Sequence, residues 1–226
     1  MAAGTHIKHK YRPAYNLERR KIMKTIQIFY GDSNTYGYDP RSFLGDQYPA
    51  EIRWTGILKN QTDWDIRNHG ICGRSIPHTE SQIKFACEQI QNWTKQENPP
   101  YIWIMLGTND LLDNQNFTAE DVTDRMRNFL TEIMKQPAII NKQIHLGLIS
   151  PASMEYGAWV DSDRLYEESR RLHTEYRRLS EKLNLLFIST ENWNIPVLFD
   201  GVHFSEEGHR IFAAQIKTEL SRIEKA

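Results

Sequence analysis

The chain has 226 residues, of which 39% are hydrophobic and 25% charged, with a formal net charge of −1. That length suits one domain with a sizeable core. A net charge so close to zero gives no field that would draw nucleic acid or anionic lipid, and no apolar run is long enough to span a bilayer. We therefore expect a small-molecule substrate, and neither a nucleic-acid nor a membrane partner.

Cysteine usage bears on the cellular compartment. Cys72 and Cys87 are the only two cysteines of the sequence. They are too few for a disulfide framework and lack CxxC spacing, which favours a reducing, cytoplasmic setting. Since no HExxH motif or Cys/His cluster with ligand spacing is visible, we also expect no metal and no cofactor.

The first 22 residues differ in charge from the rest of the chain. They carry six basic residues and one acidic residue, and no apolar segment of a signal peptide follows them. The remainder keeps 22 basic and 28 acidic residues, a net charge of about −6. We interpret residues 1–22 as a disordered or vector-derived arm and residues 23–226 as the folded domain.

From residue 24 onward, short apolar runs alternate with amphipathic stretches, which is typical of an α/β domain with a parallel sheet. Amphipathic helices are predicted from residue 53 and over 163–183. Thr118 with Asp121 resembles a capping box, and Ser205 is expected to cap the last helix. Strands are predicted over residues 25–30, 64–68, 101–106, 143–149 and 185–189.

Polar, glycine-containing segments follow the first three predicted strands. They are residues 31–34 (Gly-Asp-Ser-Asn), 68–74 and 107–110 (Gly-Thr-Asn-Asp). In open parallel sheets, ligands bind beyond the carboxyl ends of the strands. The sequence therefore predicts a site at this edge of the sheet.

A catalytic set can be assembled from these segments and from residues 200–203 (Asp-Gly-Val-His). Ser33 is the candidate nucleophile, His203 its base, and Asp200 the carboxylate that orients the imidazole. The backbone N–H groups of Ser33 and Gly73 and the side chain of Asn109 are candidate oxyanion donors. Each segment alone has a plain structural reading as a turn, a helix start or a loop hydrogen bond; their joint occurrence, in order, favours acyl transfer.

These four segments resemble the blocks of the SGNH, or GDSL, hydrolase superfamily. The resemblance implies a flavodoxin-like three-layer α/β/α sandwich whose five parallel strands have the order 2-1-3-4-5, and the same catalytic roles for Ser33, Asp200, His203, Gly73 and Asn109. Residues 53–56, 104–106 and 150–151 resemble the bacterial arylesterase and acyltransferase branch, whose members often assemble, so a homo-oligomer is a further expectation. Tyr36 stands where that branch often has tryptophan.

Several other residues are interpreted by their position along the chain. His69 and His78 are expected to be solvated or bound to backbone, His209 to lie on the surface, and Cys72 to be a small packed hydrophobe. Ser75 is a poor rival to Ser33, because no closing glycine follows it. Candidate pocket residues are Asp32, Tyr36, Trp54, Arg74, Met154, Tyr156, Trp159 and Val202.

The resulting hypothesis is a serine esterase that hydrolyses short-chain acyl or aryl esters through an acyl-enzyme. A deacetylase of acetylated carbohydrates, a thioesterase and a lysophospholipase are alternatives on the same scaffold. A flavin-binding protein is a remote alternative, since hydroxyls after the first strand could hold a phosphate. Such a protein has no use for Asp200 and His203.

Overall fold

The computed structural model describes residues 24–42, 44–93, 99–141 and 144–225. The basic arm and Gln143, the first residue of the fourth predicted strand, lie outside these ranges. No helix within the described ranges is long and apolar enough to cross a membrane.

Five parallel strands form one sheet with the order β2-β1-β3-β4-β5. Gly31, at the end of β1, is level with Gly70 on β2 and with Met105 on β3, so the carboxyl ends of these three strands meet at one edge. The fold prediction is confirmed, with strand ends shifted by one or two residues. The strands are β1 Ile26–Gly31, β2 Asp65–Gly70, β3 Tyr101–Met105, β4 His145–Ile149 and β5 Leu186–Ile188.

Two helices begin at the caps that the sequence predicts. Thr118 and Asp121 form the predicted capping box of α5, and the Ser205 hydroxyl accepts the Gly208 N–H at the start of α8. The longest helix ends at Asn184, which adopts the left-handed conformation. The helices are α1 Ser33–Tyr36, α2 Trp54–Gln61, α3 Glu80–Trp93, α4 Thr108–Asp113, α5 Ala119–Met134, α6 Pro137–Ile140, α7 Asp163–Leu183 and α8 Glu206–Ile223.

The helices lie on both faces of the sheet and make a three-layer sandwich. One core joins the sheet to α3, α5 and α7, and its members include Ile104 and Phe129. The other core joins the sheet to α2 and α8, through residues such as Trp54, Trp103 and Phe212. Both faces are thus covered, as a parallel sheet requires, and the carboxyl edge carries the loops.

The prediction of a surface position for His209 is wrong. Its side chain is fully buried, with ring centroids 5.1 Å from Tyr48 and 5.4 Å from Phe204. His209 shares the apolar face of α8 with Phe212 and Ile216, three and seven residues further on, so helical phase rather than residue type decides its burial. Burial, together with the charge of Arg53, lowers the pKa of His209 to about 3.

We predict that His209 makes stability sensitive to acid. An unfolded imidazole titrates near pH ~6.5. Below that pH the imidazole is protonated in the unfolded chain but stays neutral in the folded one. The free energy of unfolding therefore falls as pH drops from about 6.5 towards 3. In His209→Asn, the loss of melting temperature between pH 7 and pH 4.5 should be smaller than in wild type, whatever the variant's stability at pH 7. Exposed His145 gives the control, since His145→Asn should lose as much melting temperature between pH 7 and pH 4.5 as wild type does. The same loss in His209→Asn would contradict the prediction.

Candidate active site

The candidate nucleophile lies at the carboxyl end of the internal strand β1, between β2 and β3. Asp32 follows the strand and caps α1, because its Oδ1 accepts the Asn34 N–H at 3.0 Å. A Cβ on Gly31 would lie 2.0 Å from Thr35 Oγ1, so glycine allows the chain to pass directly from strand into helix. Ser33 is the first residue of α1, and its N–H therefore has no acceptor within the helix.

Two short hydrogen bonds connect the three predicted triad side chains. Ser33 Oγ lies 2.9 Å from His203 Nε2, and His203 Nδ1 lies 2.7 Å from Asp200 Oδ2. Asp200 Oδ1 also accepts the backbone N–H groups of Val202 and His203, each at 2.9 Å. The structure thus brings together a hydroxyl, an imidazole and a carboxylate from segments 170 residues apart.

The two buried carboxyls beside Ser33 differ in their pKa. Burial alone would raise the pKa of Asp200, but hydrogen bonds from the His203 ring and from two backbone N–H groups bring it below its ordinary value. Burial raises the pKa of Asp32 to about 6, because one backbone N–H from Asn34 and the more distant charges of His203 and Arg74 offset it only in part. Asp200 is therefore the carboxylate that stays ionised beside the imidazole.

A loop that follows β4, residues 153–160, is hydrogen-bonded to the turn that carries Asp200 and His203. Glu155 N–H donates to Gly201 O at 2.9 Å, and Trp159 N–H donates to Asp200 O at 3.0 Å. Gly201 has φ +81°, and a Cβ there would lie 2.1 Å from Glu155 O. The close approach of the two segments thus requires glycine at position 201.

The predicted oxyanion donors Gly73 and Asn109 come from neighbouring loops that are tied together. Asn109 Nδ2 donates to the carbonyl of Arg74 at 3.0 Å, one residue beyond Gly73. Fully buried Asp110 accepts the Ile76 N–H at 3.0 Å and pairs with Arg125 at 3.0 Å. The residues that follow β3 therefore hold the loop of Gly73 in place. Gly73 itself has φ +71°, and the space where a Cβ would lie is open.

Arg74 connects the ends of two strands. Its Nη1 donates to the carbonyl of Gly31 at 3.0 Å and to that of His69, and its guanidinium lies 4.0 Å from the ring centre of Tyr30. Arg74 and Gly73 also line a cavity of about 410 Å³. The apolar lining of that cavity comes mainly from Ile71, Ile76, Pro77 and Phe85.

Three predicted pocket residues belong to the interior, which corrects their assignment. Trp54 is fully buried, packs against Phe29 and Phe212, and donates its indole N–H to Asn34 O at 2.9 Å. Met154 and Val202 are core residues on the other side of the sheet. Large apolar side chains near the motifs are needed to fill the core, which sequence proximity to the site does not reveal. Asp32, also buried, is a helix cap.

Aromatic rings pack on both sides of His203. The Tyr38 ring centroid lies 4.8 Å and the Trp159 centroid 5.1 Å from the imidazole, both edge to face. Tyr156 instead stacks on Tyr166 and donates to Asp163 at 2.7 Å, away from the imidazole. Tyr38 is absent from the sequence-based site; its only signal is an aromatic residue five positions after Ser33. Tyr36 is half-buried, and its carbonyl accepts the Gln47 side chain.

A second serine–histidine cluster, unforeseen from sequence, lies beside a cavity of about 660 Å³ after β4 and β5. His173 contacts Ser150 Oγ through Nδ1 at 2.8 Å and Ser153 Oγ through Nε2 at 2.9 Å. Ser150 Oγ also accepts the Thr190 N–H at 3.1 Å. Among the described residues no carboxylate hydrogen-bonds to His173, so this cluster lacks the group that orients the base in a catalytic triad. Burial lowers the pKa of His173 to about 4.

The structure also shows the surroundings of the other residues that were interpreted from sequence. Cys72 is exposed rather than packed, because it lies on the outer side of the loop before Gly73. His78 bonds to the Ile76 carbonyl, and half-buried His69 stacks near Trp93 at 4.2 Å. Ser75 donates to Asp113. Nowhere in the described ranges do three or more His, Cys, Asp or Glu side chains form a group able to hold a metal ion.

Several solved structures share this fold. A carbohydrate acetylesterase family member from Sinorhizobium meliloti has a TM-score of 0.73 at 20% identity, covering 89% of this chain and 100% of that one. Est24, a carbohydrate acetylesterase from the same organism, has a TM-score of 0.71 at 18% identity, covering 88% and 100%. The aryl esterase of M. smegmatis has a TM-score of 0.69 at 18% identity, covering 86% and 99%. At these identities the likeness establishes the fold.

Sequence comparison gives the family. The uncharacterized lipoprotein YqeF of Bacillus subtilis (strain 168) is 33% identical over 87 residues, which cover 37% of this chain and only 31% of that protein. The model of the GDSL-like lipase/acylhydrolase family matches residues 29–211, a span that contains Ser33, Gly73, Asn109, Asp200 and His203. The chain therefore belongs to the GDSL-like lipase/acylhydrolase family.

Proposed function

We propose that this chain is a serine esterase that hydrolyses small carboxylic esters through an acyl-enzyme at Ser33. The observation that carries the proposal is the unbroken pair of hydrogen bonds from Ser33 Oγ to His203 Nε2 and from His203 Nδ1 to Asp200. Because Asp200 accepts the Nδ1 hydrogen, Nε2 presents a lone pair to the serine. That is the arrangement a general base needs.

The reaction has two steps. Ser33 Oγ attacks the ester carbonyl carbon while its proton passes to His203 Nε2, and the negative charge that forms on the carbonyl oxygen meets the N–H groups of Ser33 and Gly73 and the amide of Asn109. His203 then gives its proton to the departing alcohol oxygen, which leaves Ser33 acylated. In the second step His203 takes a proton from water while the water oxygen attacks the acyl carbon. The bond from that carbon to Ser33 Oγ then breaks, His203 returns the proton to Ser33 Oγ, and the carboxylic acid leaves.

The alcohol part of the substrate is proposed to be ring-shaped. The alcohol oxygen receives its proton from His203 Nε2, so the alcohol must lie beside the imidazole. Tyr38 and Trp159 flank that imidazole, and half of the Trp159 surface is exposed. Aromatic faces stack on aryl rings and on the flat faces of sugars. Aryl esters and acetylated carbohydrates are therefore favoured over esters of open-chain alcohols.

Of the alternatives, carbohydrate deacetylation has the best support, since the same aromatic pair would serve a sugar and two of the structural neighbours carry the name carbohydrate acetylesterase. No contact in the structure favours thioesters or lysophospholipids. A flavin phosphate is disfavoured, because the Ser33 hydroxyl is bonded to His203, and the Asp32 carboxyl accepts the Asn34 N–H at the start of α1, where a phosphate would need free N–H donors.

Replacement of the nucleophile tests the proposal directly. Ser33→Ala should abolish turnover of phenyl acetate and labelling by an alkyl fluorophosphonate, because Ser33 is the only hydroxyl among the described residues that bonds to His203. The circular dichroism spectrum should stay that of wild type. Ser75→Ala removes a nearby hydroxyl that bonds to Asp113, and it should leave both readouts unchanged. Turnover by Ser33→Ala at the wild-type rate would refute the assignment.

The amide of Asn109 is expected to stabilise the oxyanion. Asn109→Ala should lower kcat roughly a hundred- to thousandfold, the usual effect of losing one such donor, with KM nearly unchanged. Asn114→Ala is the control, since that side chain also donates to a backbone carbonyl, of Asp110, on the same short helix. Equal kcat values for the two variants would show that Asn109 acts only as a loop anchor.

The aromatic pair should set the preference for the alcohol. Trp159→Ala should lower kcat/KM for phenyl acetate and for an acetylated pyranoside more than for ethyl acetate. Tyr156→Ala, which removes a similarly exposed aromatic (58% against 50% exposed) that does not contact His203, should lower none of the three selectively. Hydrolysis rates across the panel measure this; a uniform loss in Trp159→Ala would count against the stacking role.

A further inference from the structure

Asn34 is the residue that links the nucleophile to both sides of the base. Its side-chain Nδ2 donates to the carbonyl of Val202 at 3.1 Å, and its Oδ1 accepts the N–H of Phe204 at 3.0 Å. These two residues directly precede and follow His203. Asn34 itself directly follows Ser33, so one side chain spans the junction between segments that are nearly 170 residues apart in sequence.

We infer that Asn34 is a positioning residue that sets the distance between Ser33 Oγ and His203 Nε2. The inference rests on the proposed function of Ser33 and extends it to a residue without a predicted role. Asn34 contacts no reacting atom; it acts by holding the backbone that carries His203 against the helix that carries Ser33.

The position of Asn34 is itself fixed. Its N–H bonds to the Asp32 carboxyl at 3.0 Å, and its carbonyl accepts the Trp54 indole N–H at 2.9 Å. The side chain is 8% exposed, while Val202 and Phe204 are 5% and 0% exposed. With the backbone held at one end and two buried bonds made at the other, the amide has little room to move.

Only an amide of this length satisfies both partners. The Val202 carbonyl needs a donor and the Phe204 N–H needs an acceptor, and the planar asparagine group offers one of each. The acronym GDSL stands for Gly-Asp-Ser-Leu, with leucine at the position of Asn34. A leucine here would leave the Val202 carbonyl and the Phe204 N–H buried without a hydrogen bond. An aspartate would keep the acceptor and replace the donor by a second acceptor, unless it is protonated.

By contrast, the hydrogen bonds of the Asp200 carboxyl do not involve Asn34. Asp200 accepts the N–H groups of Val202 and His203 and the Nδ1 hydrogen, all within four residues. Loss of Asn34 should therefore leave the bond between Asp200 and His203 intact and weaken only the bond between His203 and Ser33. A purely structural role would disturb both bonds together.

The test compares Asn34→Leu and Asn34→Asp with wild type. A displacement of about 1 Å at a reacting group costs roughly a hundredfold in rate, so both variants should lose roughly ten- to a hundredfold in kcat at pH 8 and in the rate of fluorophosphonate labelling, with KM within about twofold. The downfield proton resonance of the bond between His203 Nδ1 and Asp200 should persist. Thr190→Val, which also removes buried bonds from a side chain to two backbone carbonyls, should keep the wild-type kcat.

Asn34→Asp should also change the pH dependence of kcat, and it keeps the test possible if Asn34→Leu does not fold. Below its pKa the new carboxyl regains a hydrogen for the Val202 carbonyl; above it the group loses that donor and adds a charge near Asp32 and Asp200. The ratio of wild-type to Asn34→Asp kcat should therefore increase from pH 6 to pH 8.5.

The outcomes separate this inference from the proposed function. If wild type is labelled and Asn34→Asp is labelled equally fast across that pH range, or with a deficit that does not change with pH, the positioning role is overturned while the esterase proposal stands. If wild type hydrolyses no ester and Ser33 is not labelled, the esterase proposal is wrong and the positioning role fails with it.

Discussion

The structure depends on one hydrogen bond, 2.9 Å long, between Ser33 and His203. The backbone that carries Ser33 and the backbone that carries His203 are held in different ways. Ser33 follows an internal strand of the sheet, where β2 and β3 hold the backbone on both sides. His203 belongs to a turn before α8, whose backbone is held by single hydrogen bonds such as that from the Leu198 N–H to the His203 carbonyl, at 2.8 Å. The sheet therefore supports the candidate nucleophile, whereas isolated backbone bonds and the side chains of Asp200 and Asn34 support the candidate base.

The electrostatics of the site follow from how many donors each buried carboxyl receives. Asp200 accepts three N–H groups, and its pKa falls although burial opposes this. Asp32 receives fewer donors, chiefly the Asn34 N–H, and burial raises its pKa to about 6. The same residue type, buried at both positions, thus holds its charge more firmly beside the imidazole than at the cap of α1.

The sequence allowed the fold to be predicted because alternating apolar runs and amphipathic stretches report directly on strands and helices, and the sheet order is that of the family it resembles. The meeting of Ser33, His203 and Asp200 could be anticipated for a similar reason, since acyl transfer demands particular residue types. Trp54, Met154 and His209 could not be placed, because an aromatic, thioether or imidazole group near a motif suits either a core or a pocket. Tyr38 was missed because only the folded loop between α1 and α2 brings its ring onto His203.

Backbone hydrogen bonds connect the loop that carries Trp159 to the turn that carries His203. Trp159 N–H donates to the carbonyl of Asp200, and Glu155 N–H donates to that of Gly201, so the loop of residues 153–160 and the turn of the candidate base share two backbone bonds. Gly201 permits this contact, because any Cβ there would collide with Glu155 O. On the proposed function, an alcohol that stacks on Trp159 would contact a residue bonded to the backbone that carries His203. Asn34 bonds to the residues on either side of His203, and it would hold the distance from His203 to Ser33 when that loop is loaded.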